Sequence, residues 1–252
     1  MLLLLFFKKT KEVFTIKEQV ITVWSPAGLN TAKVSWPLAN HIARHTTIAL
    51  VELPCMGIPR LALQADCLDR TLHTDAAILE YERKNSSPID FCQKVSDNLA
   101  ILAANAYALP DHPVVHKVEN SQTLQSFPAH FINRARKKGY SVIIFDCQGV
   151  LVSPMTFFAL KQANTIILVV DDPSDLAWTL INKERLVDAY DIDVNAFLAT
   201  TITTSPQYYE EIQKVLKCPV LPLHKIVHAL ADQGSSTTAK NQHLKQEQVV
   251  TG

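Results

Sequence analysis

The chain has 252 residues, 48% of them hydrophobic and 19% charged, with 24 basic and 24 acidic side chains. That length buries a sizeable core in one domain, and zero net charge provides no global field for nucleic acid or an anionic membrane. The five cysteines (Cys55, Cys67, Cys92, Cys147, Cys218) show no paired or zinc-type spacing, the pattern of free thiols in a reducing cytoplasm.

The first residues, Met1 to Phe7, are apolar and are followed by Lys8 and Lys9. The run is shorter than the ~20 residues a spanning helix needs. Its charges follow the apolar run, whereas a secretory leader places them before it. Residues 1–19 therefore read as an extension: a frayed end or extra edge strand, with weak interfacial contact as the sharper alternative. Val20 to Trp24 is a β-rich run that stops at the turn signal Ser25-Pro26-Ala27-Gly28. Helical spacing follows over 32–44, with Val34, Leu38, Ile42 and Ala43 on the inner stripe, and Pro37 is expected to end or kink it. Ile48 to Leu53 is the next strand. Leu61 to Glu82 has helical character, Asn85 to Pro88 reads as a loop and Ile89 to Val95 as a short helix.

Asn98 to Ala104 is a further strand, and 121–138 a helix. The helix finishes with Arg134, Arg136, Lys137 and Lys138 before Gly139, the expected helix stop rather than a nucleic-acid patch. Tyr140 to Asp146 and Thr165 to Asp172 are nearly continuous apolar runs, as in strands covered on both faces. Helices at 153–162, 174–189 and 206–216 alternate with strands at 194–202 and 219–223. This alternation predicts one α/β domain over 20–234: a doubly wound, mainly parallel sheet of about six to eight strands with helices on both faces. Residues 235–252 are polar and read as a disordered tail.

In such a sheet, phosphate chemistry belongs at the first strand-to-helix turn. The segment Val20 to Glu52 resembles the opening of MinD/ParA-type P-loop ATPases, including the pilus-localisation relatives of the TadZ/CpaE kind. Those proteins carry S-K-G-G-V-G-K-T-T, then a helix ending N-L-A-x-x-L-A, then a strand ending D-x-D. Leu38-Ala39-Asn40-His41-Ile42-Ala43 resembles the helix end, and Ala49 to Pro54 the strand. A gapless register then puts Ser25 on the serine, Pro26 on the signature lysine, Ala27 and Gly28 on the paired glycines, Leu29 on the valine and Asn30 on the last glycine. Thr31 falls on the phosphate-gripping lysine and Ala32 on the magnesium-binding threonine, with Lys33 two residues too late. Glu52 keeps a carboxylate where the family has its first Asp, and Pro54 replaces the second. A register shifted by two residues sets Ala32-Lys33 on the Gly-Lys pair, but leaves Val34 at the hydroxyl position. Tyr140 to Gly149 is similar to the Walker B strand, with Asp146 at its end; a turn-capping Asp is the alternative. Ala163 to Val170, Pro219 to His224 and Ala231 to Gly234 extend the resemblance, and the adenine-contacting Asn falls on Thr200 or Thr201.

The resemblance implies ATP and Mg²⁺ as ligands, with Ala27 to Lys33, Glu52 and Asp146 as nucleotide-binding positions. The substitutions at Thr31 and Ala32 remove the phosphate-neutralising charge and the metal hydroxyl. Asp146 is then the sole candidate catalytic group. Two functions stay open: a non-hydrolysing scaffold or localisation factor with a protein partner or homodimer, and an ATP-dependent switch using an atypical loop. A cytoplasmic protein recruited peripherally to a membrane fits either. His112 with His116, and His224 with His228, lack the further ligands of a metal site and read as ordinary surface or core histidines. Tyr208 and Tyr209, near Trp178, read as packing residues.

Overall fold

The computed structural model describes residues 18–53, 58–108, 114, 117–149, 153–202, 208–226, 228 and 230. The expectations for the N-terminal extension before Glu18, for Pro54 and for the tail beyond Leu230 lie outside these residues.

Seven strands form one sheet: β1 (Gln19–Ser25), β2 (Ile48–Glu52), β3 (Gln93–Ser96), β4 (Leu99–Leu102), β5 (Val142–Gln148), β6 (Thr165–Val169) and β7 (Phe197–Thr200). Their order is β3-β4-β2-β5-β1-β6-β7, parallel throughout except for the antiparallel β3–β4 pair. The helices are α1 (Ala32–Ile42), α2 (Arg60–Gln64), α3 (Thr74–Lys84), α4 (Ser121–Lys137), α5 (Pro154–Gln162), α6 (Pro173–Tyr190) and α7 (Tyr209–Leu216), with a last helical stretch from Leu223. Alternate strand residues point to opposite faces. Val20 and Trp24 of β1, with Ile143 and Phe145 of β5, join the core under α3 to α7. Ile21, Val23, Val142 and Ile144 join the core under α1, α2 and the last helix. Burial on both faces explains the continuous apolar runs.

Several elements depart from the sequence reading. The stretch 89–95 is not a helix: a 3₁₀ turn at Pro88–Phe91 leads into the edge strand β3, whose sequence QKVS is polar but for Val95 and mostly exposed. The helical stretch 61–82 divides into α2 and α3. Pro37 neither ends nor breaks α1; Lys33 and Pro37 both lie on its exposed side, where solvent can pair the carbonyl that proline cannot. The strand expected at 219–223 is reduced to a single parallel bridge between Ala199 and Val220. Gly139, at φ +89, follows the Lys138 cap of α4 in the left-handed conformation that glycine adopts without strain.

The order of the strands positions the site. The chain leaves β1, passes through α1 and returns to the sheet at β2, beyond β5. The C-terminal ends of β1, β5 and β2 therefore lie side by side beneath the start of α1.

Candidate functional site

Side-chain parity puts Asp146 on the α1 face of β5, with Val142 and Ile144, and Glu52 on the same face of β2, with Ile48 and Leu50. The two residues are register partners on adjacent parallel strands, so two carboxylates are buried about one strand spacing apart, roughly 4.8 Å between backbones. Asp146 is fully buried and Glu52 is 2% exposed.

Each carboxylate has its own donors. The Thr31 hydroxyl donates to one oxygen of Asp146 and the Ser35 hydroxyl to the other. Thr31 caps α1 and Ser35 lies one turn further, so residues four apart on one helix face grip a single side chain. Glu52 accepts from the backbone N–H of Leu61 at 2.8 Å, of Ala62 at 3.1 Å and of Ala104 at 3.0 Å. Its carboxylate thus ties the first turn of α2 to the segment after β4. Burial raises the Glu52 carboxyl to about 7, the Asp146 charge adding to the rise and the three N–H donors opposing it. Burial likewise raises Asp146 to about 6, against the Ser35 and Thr31 hydroxyls and the more distant Arg60 charge.

The loop between β1 and α1 is closed largely by its own bonds. Gly28 N–H donates to the Ser25 carbonyl at 3.1 Å, and Leu29 N–H to the Ser25 hydroxyl at 3.1 Å. Thr31 N–H donates to the Leu29 carbonyl at 2.9 Å and Lys33 N–H to the Asn30 carbonyl at 3.1 Å. Gly28 sits at φ +80, a conformation that favours glycine. Outward carbonyls are held from both sides: Arg60 donates to Gly28 O at 2.9 Å, and Trp178 Nε1 of α6 donates to Pro26 O at 3.1 Å.

The fold brings Gly28, Thr31, Glu52 and Asp146 together but distributes the other predicted positions differently. Ala27 is exposed at the loop tip, Leu29 packs against the α1-side core and Ala32 is buried at the start of α1. Asn30 has a buried Oδ1 without a hydrogen-bond partner among the described residues. Lys33 is exposed and lines a cavity on the far side of α1. The hydroxyl against Asp146 belongs to Thr31, while Ala32, at the metal-hydroxyl position of the gapless register, brings only a methyl group. Thr200 is fully buried, and Thr201 lines the same cavity as Lys33. Ser35, Arg60 and Trp178 escaped the sequence reading as site residues. Ser35 carried a signal in its spacing of four from Thr31; Arg60 and Trp178 carried none. Tyr209 packs against the core on the α3-to-α7 side, but Tyr208 is 48% exposed and is not a packing residue in the ordinary sense.

No family model and no curated protein matches the sequence. Solved structures do. MinD from Pyrococcus horikoshii, complexed with Mg-ADP, is similar with a TM-score of 0.61 and 17% identity over 86% of each chain. A plasmid partition protein from Borrelia burgdorferi gives a TM-score of 0.64 and 10% identity, covering 88% of this chain and 99% of that one. MinD in the MinC:MinD cell division complex of Aquifex aeolicus gives 0.60 and 14%, over 86% of each chain. The chain has the fold of the MinD/ParA P-loop ATPases.

Proposed function

We propose that this protein is a MinD/ParA-like scaffold or localisation factor, akin to the TadZ/CpaE kind, that works through protein contacts and does not hydrolyse ATP. The observation that carries this reading is the closed state of the phosphate loop. Both oxygens of Asp146 already carry hydroxyl donors, and the amides of Gly28, Leu29, Thr31 and Lys33 donate within the segment Ser25 to Asn30. A P-loop needs free amides and a lysine against the terminal phosphates. Thr31 stands where that lysine would in the gapless register, and Lys33 lines the cavity beside α1 instead, so these residues do not fit a triphosphate. Losing one charge-stabilising donor of this sort commonly costs about 3–4 kcal/mol of transition-state stabilisation.

The protein-contact half of the proposal rests on α6. Its inner side buries Thr179, Asn182 and Lys183, while Trp178 and Ile181 are 42% and 49% exposed on its outer side. An apolar outer face beside the loop suits a protein partner or a second copy of the chain. No helix among the described residues is long and apolar enough to cross a membrane. The free cysteines among the described residues suit a reducing cytoplasm, which supports a cytoplasmic protein that reaches any membrane through its partner.

One contact favours a second reading. A P-loop hydroxyl and the Walker B Asp are the pair that hold Mg²⁺ in working enzymes, and the Thr31 hydroxyl, one residue before the family's metal position in the gapless register, makes a similar contact with Asp146. An ATP-driven switch would then need the loop to reopen. Phosphate release by the purified chain with Mg-ATP, beside Asp146→Ala, separates the two. The expected outcome is no Mg²⁺-dependent turnover above background in either protein. Turnover that Asp146→Ala abolishes would replace the scaffold reading with the switch.

A further inference from the structure

We propose that the cavity between α6 and α7 is a binding site for a small organic cation, a primary amine carried on an apolar body. The cavity has a volume of about 330 Å³, at the small end of ordinary ligand pockets. Three parts of the chain build it. Val170, Asp171 and Asp172 follow the end of β6, Leu176 comes from the start of α6, and Tyr208, Glu211 and Ile212 from the start of α7. Val170, Leu176 and Ile212 belong to the core on that face of the sheet and give the cavity an apolar floor. Its charged groups are the carboxylates of Asp171, Asp172 and Glu211, with the half-exposed Tyr208 ring beside them. No basic side chain lines it among the described residues. An apolar slot edged by carboxylates and an aromatic ring suits an ammonium group on a hydrocarbon stem: the floor takes the stem, the carboxylates pair the charge and the ring attracts it.

Two of the acids also serve the fold. Asp171 accepts from the Ile202 N–H at 2.8 Å. Asp172 caps α6: the Ser174 N–H at 2.7 Å, the Ser174 hydroxyl at 2.6 Å and the Asp175 N–H at 3.0 Å all donate to its Oδ1. Its Oδ2 accepts from no protein group among the described residues, so the cap fixes the side chain and leaves one oxygen for a ligand. The Ser174 hydroxyl holds the Asp172 carboxyl below the usual carboxylate range, which keeps it charged at neutral pH. The N-termini of α6 and α7 together bring roughly one unit of positive charge, less than the three carboxylates of the lining. Asp175, one turn into α6, registers the excess. Burial raises its carboxyl, the Asp172 charge adds to the rise, and its Oδ2 is buried without a hydrogen-bond partner among the described residues. The basic residues nearest in sequence on the two helices, Lys183 and Lys214, do not line the cavity, and Lys183 holds its Nζ 5.2 Å from the centre of the Phe197 ring. Leu176 and Trp178 are two residues apart, about 200° round the helix, and Trp178 turns to Pro26. The site is therefore independent of the outer face of α6 and of the closed loop.

The test is a calorimetric titration of the full chain with 4-phenylbutylamine, beside 4-phenylbutanol and 4-phenylbutyrate, which carry the same body with no charge and with a negative one. One saturable site per chain is expected for the amine, with a Kd of about 1 mM or tighter. The alcohol and the acid should bind at least about tenfold more weakly. Asp172→Asn keeps a good capping residue and removes the charge; Glu211→Gln does the same at an exposed position. Each should weaken the amine by about threefold or more, and the pair together by about tenfold or more. Should Asp172→Asn fail to fold, Glu211→Gln alone decides. Asp188→Asn removes an exposed charge about 24 Å further along α6 and should leave binding unchanged. Absence of saturable binding overturns the proposal. So does an alcohol that binds as tightly as the amine, binding that the cavity variants leave intact, or binding that Asp188→Asn weakens equally. An acetylated Gly-Lys-Gly amide that binds more tightly than the amine would overturn the small-molecule assignment in favour of a lysine on a partner protein. Nucleotide turnover is a separate readout, so failure of the scaffold reading shows there and failure of this site in the titration.

Discussion

Two neighbouring carboxylates without a contacting cation set the chemistry of this protein at the scale of single residues. Their folded pKa values, about 7 for Glu52 and about 6 for Asp146, lie above the ordinary carboxylate range. Between roughly pH 4 and pH 7 the native state holds protons that the unfolded chain has released, so stability falls as pH rises. The contribution is complete below the unfolded values and is lost as pH climbs through the folded ones, by about 3 kcal/mol for each group. Asp146→Asn should therefore raise the melting temperature more at pH 8 than at pH 4.5. Its amide can accept from one hydroxyl and donate to the other, and its neutrality relieves Glu52. Thermal melts across that range measure it, and a gain that does not grow with pH would contradict the coupling. Ser35→Ala acts in the opposite direction. It leaves one buried carboxylate oxygen without its donor and should cost about 1–3 kcal/mol, read by urea denaturation at pH 8.

Helix ends and helix faces illustrate the element scale. The basic last turn of α4 and Gly139 were legible because the chemistry of a helix stop is local. Gly139 has φ +89, and a Cβ built there meets nothing within 4 Å. Gly139→Ala should then cost only the backbone strain, about 1–2 kcal/mol, with chemical denaturation as the check. A much larger loss would mean a steric clash that the structure does not show. β3 was illegible for the opposite reason. Three of its four residues are polar, the fourth, Val95, is exposed, and only pairing with β4 makes them a strand. The α6 helix carries a third case: nothing local in the sequence says that its Trp178 stays 42% exposed.

Across the whole molecule, the order β4-β2-β5-β1-β6 brings the phosphate-type loop, Glu52 and Asp146 to one edge. On one flank of the loop stands Arg60, on the other the exposed face of α6. If that face is the contact surface, Ile181→Asp should reduce self-association or partner capture by about tenfold while changing stability by no more than about 0.5 kcal/mol. Sedimentation velocity at rising concentration, with a melt of the same samples, reads both. Unchanged association in a folded variant would move the contact surface away from α6.

The sequence by itself determined the parallel α/β fold, because strands buried on both faces must be apolar throughout and helices between them must carry one apolar stripe. It also marked Glu52 and Asp146, through their places in the resemblance to the MinD/ParA-type strands that end in acidic residues. The tertiary structure decided what those carboxylates do. Ser35 matters only because α1 lies across β5, and Arg60 only because α2 folds back onto the loop. Trp178 reaches Pro26 from 152 positions along the chain. Hydrogen-bond partners so distant leave no periodicity to read, because their proximity comes from the crossing of β1 to β2 over β5 and not from any local rule.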